Sequence, residues 1–185
     1  MNRLNAKVSS PLSEVPDTQL AYWQKRLANA SPGLELPTDH LRVSNQSFRS
    51  AMQPLKLSKN LADSLKALSQ QEEVTLFMTM LAAFQVLLYR YTGQDDVIVG
   101  SPISNRNRTE NSSFVNALPL RTDLSGEPTF RALLVQVHQV VLDAYAHQDL
   151  PFEKLIEELQ PEQNSAYNSL YQVMFVFQSA SENQT

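Results

Sequence analysis

Cysteine is absent from this sequence. That excludes disulfides, iron–sulfur clusters, cysteine zinc sites and thiol nucleophiles. Histidine is nearly as scarce: His40, His138 and His147 stand apart, no two are paired, and no metal is expected. Basic charge does not predominate either. The net charge is −4, whereas a non-specific nucleic-acid binder needs a positive surface, so no nucleic-acid partner is expected. No apolar run reaches the ~20 residues of a membrane-spanning helix. The most apolar stretch, Val74 to Tyr91, is interrupted by Thr75, Thr79, Gln85 and Arg90, and reads as a buried helix. Residues 1–10 lack the apolar segment of a secretion signal. No membrane association and a cytoplasmic location follow as expectations. Asn-x-Ser/Thr triplets at Asn45, Asn107, Asn111 and Asn183 are then chance matches.

What is present is ordinary globular material. The chain has 185 residues, 42% hydrophobic and 18% charged, which suits one domain or one lobe of a larger one. A chain this long can bury roughly 70% of its unfolded surface, enough for a real core. Residues 1–16 are polar and read as a flexible arm. Asp17-Thr18 opens a helix on which Leu20, Trp23 and Leu27 share a face, closed by Pro32-Gly33. Ser47 to Leu57 alternates as a strand broken at Pro54. Ser58 is the expected N-cap of a helix using Leu61, Leu65 and Leu68. After a polar joint at residues 70–73, a long helix runs through Tyr91 and closes at Gly93. On it, Phe77, Phe84, Tyr89 and Tyr91 are expected in the core or at a lobe interface.

Beyond Gly93 the period changes. Asp96 to Ile103 is β-branched and reads as a strand, residues 104–113 as a loop, and Phe114 to Leu124 as a second strand. Pro128 suits a helix start, and Phe130, Leu133, Leu134, Val137, Val141, Ala144 and Tyr145 form its stripe. His147-Gln-Asp-Leu-Pro151 breaks that helix. Pro151 opens a short one with Phe152, Leu155, Ile156 and Leu159. A loop at residues 160–169 precedes a third strand, Tyr171 to Phe177. Strands separated by helices indicate an α/β layered fold.

Several of these segments resemble a known family. Phe114-Val-Asn-Ala-Leu-Pro-Leu-Arg-Thr-Asp123 is similar to the Phe-Val-Asn-Thr strand of nonribosomal peptide synthetase condensation domains. His147-Gln-Asp-Leu-Pro-Phe-Glu153 resembles the family's His-Gln-Asp-x-Pro-Phe-Glu motif without a gap. Thr75 to Ile103, with Tyr91-Thr-Gly-Gln-Asp-Asp96 and Gly100-Ser-Pro-Ile103, resembles the stretch preceding both. Tyr22-Trp23 and Leu36-Pro-Thr-Asp39 are similar to the segment between the family's two lobes. The ordered set covers nearly all of the chain after residue 17.

The resemblance implies a chloramphenicol acetyltransferase-like α/β sandwich, one lobe with a mixed sheet packed against helices, over residues 17–180. Residues 181–185 would be a tail or linker. It implies one wall of a channel in which an acceptor aminoacyl amine attacks a donor thioester to make an amide. No cofactor is bound directly; substrates arrive on the phosphopantetheine of peptidyl carrier proteins. The implied partners are an N-terminal condensation lobe or an adjacent adenylation domain, and the carrier proteins. Self-association through an exposed lobe interface is expected, around Val115 to Leu118 or near Phe175.

The departures matter as much. No His-His-x-x-x-Asp-Gly motif is present, so the family's central histidine is not carried over, no catalytic residue is named, and the chain alone is expected to be inactive. Only Asn111-Ser-Ser113 stands where the family has a longer stretch containing Leu-Ile-Gly. Ala117 replaces the usual threonine. Gln163 to Leu170 largely loses the last motif. The chain reads either as a natural partial domain or as an excised piece of an active one. The alternative function is a degenerate, non-catalytic platform for an adjacent adenylation or carrier domain.

Each candidate residue has a functional and a structural reading. Asn116 and Ser101 fall on the channel, phosphopantetheine side by the resemblance. Asn116 is otherwise a strand-edge amide satisfied by backbone, and Ser101 has no nucleophile elbow or base around it. Arg106 and Arg108 suit a carrier-protein phosphate or are simply solvated. His147, Asp149 and Phe152 read as a structural joint: His147 ends one helix, Asp149 caps the next and Phe152 packs beneath. Trp23 reads as core.

Overall fold

The structure, a computed structural model, describes residues 17–30, 33–39, 50–104, 115–159 and 170–178. Five helices and one antiparallel hairpin make up their regular structure. The helices begin where side chains can answer orphan N–H groups. Helix α1 (Asp17–Leu27) precedes α2 (Lys59–Gln71), where Ser58 Oγ accepts the Leu61 N–H at 3.2 Å. Thr75 does the same for Met78 at the start of α3 (Leu76–Thr92), and Thr129 for Ala132 at α4 (Phe130–Ala146). A short α5 (Phe152–Leu159) follows. Gly93 ends α3 in the left-handed region (φ 72°) and donates its N–H to the Tyr89 carbonyl at 2.8 Å, the conformation in which glycine costs least. Helix α1 stops at Leu27, short of the expected Pro32-Gly33, because Asn29 already turns left-handed (φ 53°).

Strands β1 (Asp96–Ser104) and β2 (Val115–Asp123) pair antiparallel, from Asp96 opposite Asp123 to Ser104 opposite Val115. Alternation places Val97, Val99 and Ser101 on one face with Thr122, Leu120 and Leu118. There Gln85 of α3 donates to Thr122 Oγ1 at 2.9 Å, and all six residues are buried. Helix α4 adds Leu133, Leu134, Val137 and Val141 to the same core, and α1 adds Trp23 and Leu27. On the opposite face Arg121 leaves the sheet toward α1. It binds Asp96 through two contacts at 2.7 and 2.9 Å and donates to the carbonyls of Arg26 and Ala28 at the helix end. A cation is favoured at a helix C-terminus, so this arginine fixes α1 against β2.

Three expectations need correction. Residues 50–57 form no strand, and Met52 and Leu55 are 92% and 85% exposed; residues 47–49 lie outside the described set. The third strand is reduced to one parallel bridge, Gly100 to Met174, in which Gly100 donates to the Val173 carbonyl and accepts the Phe175 N–H. The mixed sheet is thus a hairpin with an extended segment docked at its edge. In the stretch expected as an interface around Val115 to Leu118, Asn116 and Leu118 are buried rather than exposed. The other place expected, near Phe175, does carry apolar exposure, on Met174, Val176 and Phe177 of the docked segment, while Phe175 itself packs on Phe77 and Phe84.

Two outcomes follow. A Cβ on Gly100 would run into the Tyr171 ring. Gly100→Ala is therefore expected to lower stability by ~1–3 kcal/mol in urea unfolding, as overpacking does, and Tyr171→Ala in the same chain should recover part of the loss. The exposed docked segment should make the protein associate at high concentration; light scattering should show this, and Met174→Lys with Val176→Lys should reduce it.

Candidate functional site

The motif residues converge on the turn between α4 and α5. Its first member, His147, closes α4: its N–H reaches the Ala144 carbonyl at 3.2 Å, and Nδ1 lies 2.8 Å from the Asp143 carbonyl. A carbonyl only accepts, so Nδ1 carries the proton. The ring stacks on Tyr22 at 3.9 Å with 9° between planes. The His147 carbonyl accepts the Trp23 indole N–H at 2.9 Å. Burial pushes the Tyr22 phenol above its ordinary pKa, with Arg26 pulling it down and Asp143 raising it, so the stacked ring stays neutral at physiological pH.

Asn116 holds the turn from the sheet side. It is 3% exposed. Nδ2 donates to the Gln148 and Leu150 carbonyls, both at 2.9 Å, and Oδ1 accepts the N–H groups of Ala117 and Phe152, both at 3.0 Å. Two donors and two acceptor sites are the full capacity of an amide. In this arrangement the amide is taken up by backbone groups, and no hydrogen bond is left for a phosphopantetheine arm.

Asp149 does not cap α5. The N–H of Phe152 is answered by Asn116, as above, and the Asp149 side chain instead accepts from Gln19 Nε2 at 3.2 Å. Gln19 also accepts the N–H groups of Asp149 (3.1 Å) and Leu150 (3.0 Å) through Oε1. Sequence reasoning missed Gln19. The available signal was its position four residues before Trp23, hence on the same helix face; a glutamine in a first turn reads as solvated until its partners are known. Phe152 packs on Tyr171 with ring centroids 5.3 Å apart, and Tyr171 in turn covers Gly100. Burial, with Glu153 adding to it, raises the Tyr171 pKa.

Ser101 lies buried on β1 opposite Leu118. Arg106 and Arg108 lie outside the described residues, as do residues 1–16 and 181–185. A polar recess of about 440 Å³ lies at the far end of the hairpin, lined by Arg26, Asp95, Asp96, Arg121, Asp123 and others. Most of its charged side chains are used within the fold. Arg121 pairs with Asp96 as above, and hydrogen bonds from Ser125, backbone first, hold the Asp123 carboxyl below its usual range, with Arg121 adding to them. Around the turn the side chains of Gln19, Asn116, Trp23 and Asp149 are all paired with one another or with backbone. The arrangement can fix geometry; it presents no nucleophile with a base among the described residues.

The condensation domain family model matches residues 12–185. One of the linear gramicidin synthase proteins of Brevibacillus parabrevis is 56% identical over 170 residues, covering 90% of this chain and 3% of that protein. The chain therefore spans only a small part of its curated relatives. The crystal structure of the X-domain from teicoplanin biosynthesis superposes with a TM-score of 0.79 at 27% identity, over 89% of this chain and 37% of that one. A four-domain nonribosomal peptide synthetase bound to AMP and glycine superposes at 0.80 with 23% identity over 92% of this chain and 13% of that one, a likeness of fold.

The geometry makes Asn116 costlier to lose than Asp149. Asn116→Ala removes four hydrogen bonds and should destabilise the chain by about 2–4 kcal/mol, taking roughly 1 kcal/mol for each. Asp149→Ala keeps both backbone contacts to Gln19 and should cost under ~1 kcal/mol. Urea unfolding of the two variants side by side checks the order.

Proposed function

Since this chain belongs to the condensation domain family, we propose that it forms the second lobe of such a domain and supplies one wall of the channel where an amide bond is made. The acceptor amine nitrogen attacks the donor thioester carbon. The carbon–sulfur bond breaks, the thiolate leaves on the donor carrier, and the proton given up by the amine ends on that thiolate as the free thiol. Both substrates arrive on phosphopantetheine arms of carrier proteins, in the cytoplasm. The lobe contributes position. Holding amine and thioester in register can supply several kcal/mol of the barrier, up to about 7–11 for well-oriented reactants.

The observation that supports this reading is the convergence of the resemblance segments on one turn. Gly100 through Tyr171, Asn116, Tyr22-Trp23 and His147 to Phe152 all meet there. Likeness to a synthase across those same segments favours it over the degenerate platform. Arg106 and Arg108 are proposed to meet an acceptor carrier, whereas Ser101, buried on the core face of β1, supports the wall from behind. His147 and Asp149 are proposed to hold the turn rather than to move protons.

The expected result is a dependence on a second lobe. Incubated with loaded donor and acceptor carrier proteins, the chain alone should yield no dipeptidyl thioester by mass spectrometry. Joined to a lobe carrying His-His-x-x-x-Asp-Gly, it should yield product. Product from the chain alone, or none from the joined domain, contradicts the proposal.

A further inference from the structure

We propose that Gln19 is a positioning residue whose amide, with that of Asn116, brackets the turn between α4 and α5 and so couples α1 to β2. Its consequence for a channel wall rests on the function proposed above; the bracket itself does not. Gln19 and Asp149 are 130 positions apart in sequence. Gln19 is nonetheless only 8% exposed, and its amide makes three contacts to Asp149 and Leu150. Asn116 reaches the same turn from the strand and takes Gln148, Leu150 and Phe152.

Leu150 is the shared member. Its N–H goes to Gln19 and its carbonyl to Asn116. Residues 147–151 are neither helix nor strand, so they lack the repeating ladder that fixes regular backbone. Buried backbone groups must nevertheless be paired. Where distant side chains supply the pairing, those side chains set the turn's place. Trp23, one turn along α1 from Gln19, fixes the His147 carbonyl in the same way. A displacement of α1 is therefore carried through Leu150 to Asn116 and β2.

Residue-resolved amide exchange by NMR on this chain tests the bracket. Gln19→Leu should speed exchange at Asp149 and Leu150 about tenfold or more relative to Leu134 and Val137 of α4, the scale of a lost N–H···O bond. The Phe152 amide, whose acceptor is Asn116, should speed with them; that is the mark of coupling. Leu20→Ala, a packing change on the same helix, should speed all these amides together. Gln19→Glu keeps the acceptor but sets a carboxylate beside Asp149, so it should speed Asp149 and Leu150, and Asp149→Asn on top should return them toward the wild-type rate. Unchanged relative exchange at Asp149 and Leu150 in Gln19→Leu overturns the bracket, and so does absence of relief in the Gln19→Glu, Asp149→Asn pair, which remains decisive if the leucine variant does not fold. An unmoved Phe152 overturns the coupling. Failure of the peptide-bond assay leaves this exchange pattern intact, and failure of the pattern leaves the condensation reading standing.

Discussion

A buried amide must have its donors and acceptors answered, and in this lobe that requirement settles where the elements lie. Asn116 sits in an otherwise apolar stretch of strand, where an unpaired amide is costly. It is satisfied only when the turn after α4 presents two carbonyls and α5 begins at its oxygen. The strand, the turn and the start of α5 are therefore one arrangement. Moving any of them alone strands polar groups in the core.

Helix α1 is fastened to that arrangement at both ends. Near its start, Gln19, Tyr22 and Trp23 grip the turn; at its end, Arg121 of β2 collects its last carbonyls. Arg121 itself is oriented by two contacts with Asp96 on the neighbouring strand, a bidentate geometry that suits guanidinium and not ammonium. The helix has 11 residues and could not hold its shape alone in water. Its stability is tertiary. One buried side-chain atom stays unanswered among the described residues, Gln85 Oε1, whose amide nitrogen is spent on Thr122.

Local chemistry made much of the fold legible. Ser58 and Gly93 mark helix ends through groups within four residues of them, and the α4 stripe and the hairpin's β-branched run carry their own periods. The family, too, was legible in the ordered segments. The Tyr171 to Phe177 segment has strand composition, but strand formation depends on a neighbour, and β1 offers it only the reach of Gly100. The pattern at residues 50–57 failed for the same reason. In the site, His147 as a helix end follows from the stripe stopping at Tyr145. Asp149 was misread because an acid two residues before Pro151 looks like a cap, whereas the real acceptor for Phe152 comes from a residue 36 positions earlier. Such partners leave no trace in a short window.

Among the described residues the last pair of the hairpin ladder is Ser104 and Val115, and Asn116 is the next residue along β2. Everything the turn depends on lies on the inner side of that pair. Insertions and deletions beyond it can then accumulate without reaching Asn116, because a closed antiparallel register isolates one end of a hairpin from the other. A segment as brief as Asn111-Ser-Ser113 there, or a longer one, leaves Asn116 in the same register opposite Ile103. Divergence at that tip is therefore a poor guide to whether a lobe has decayed.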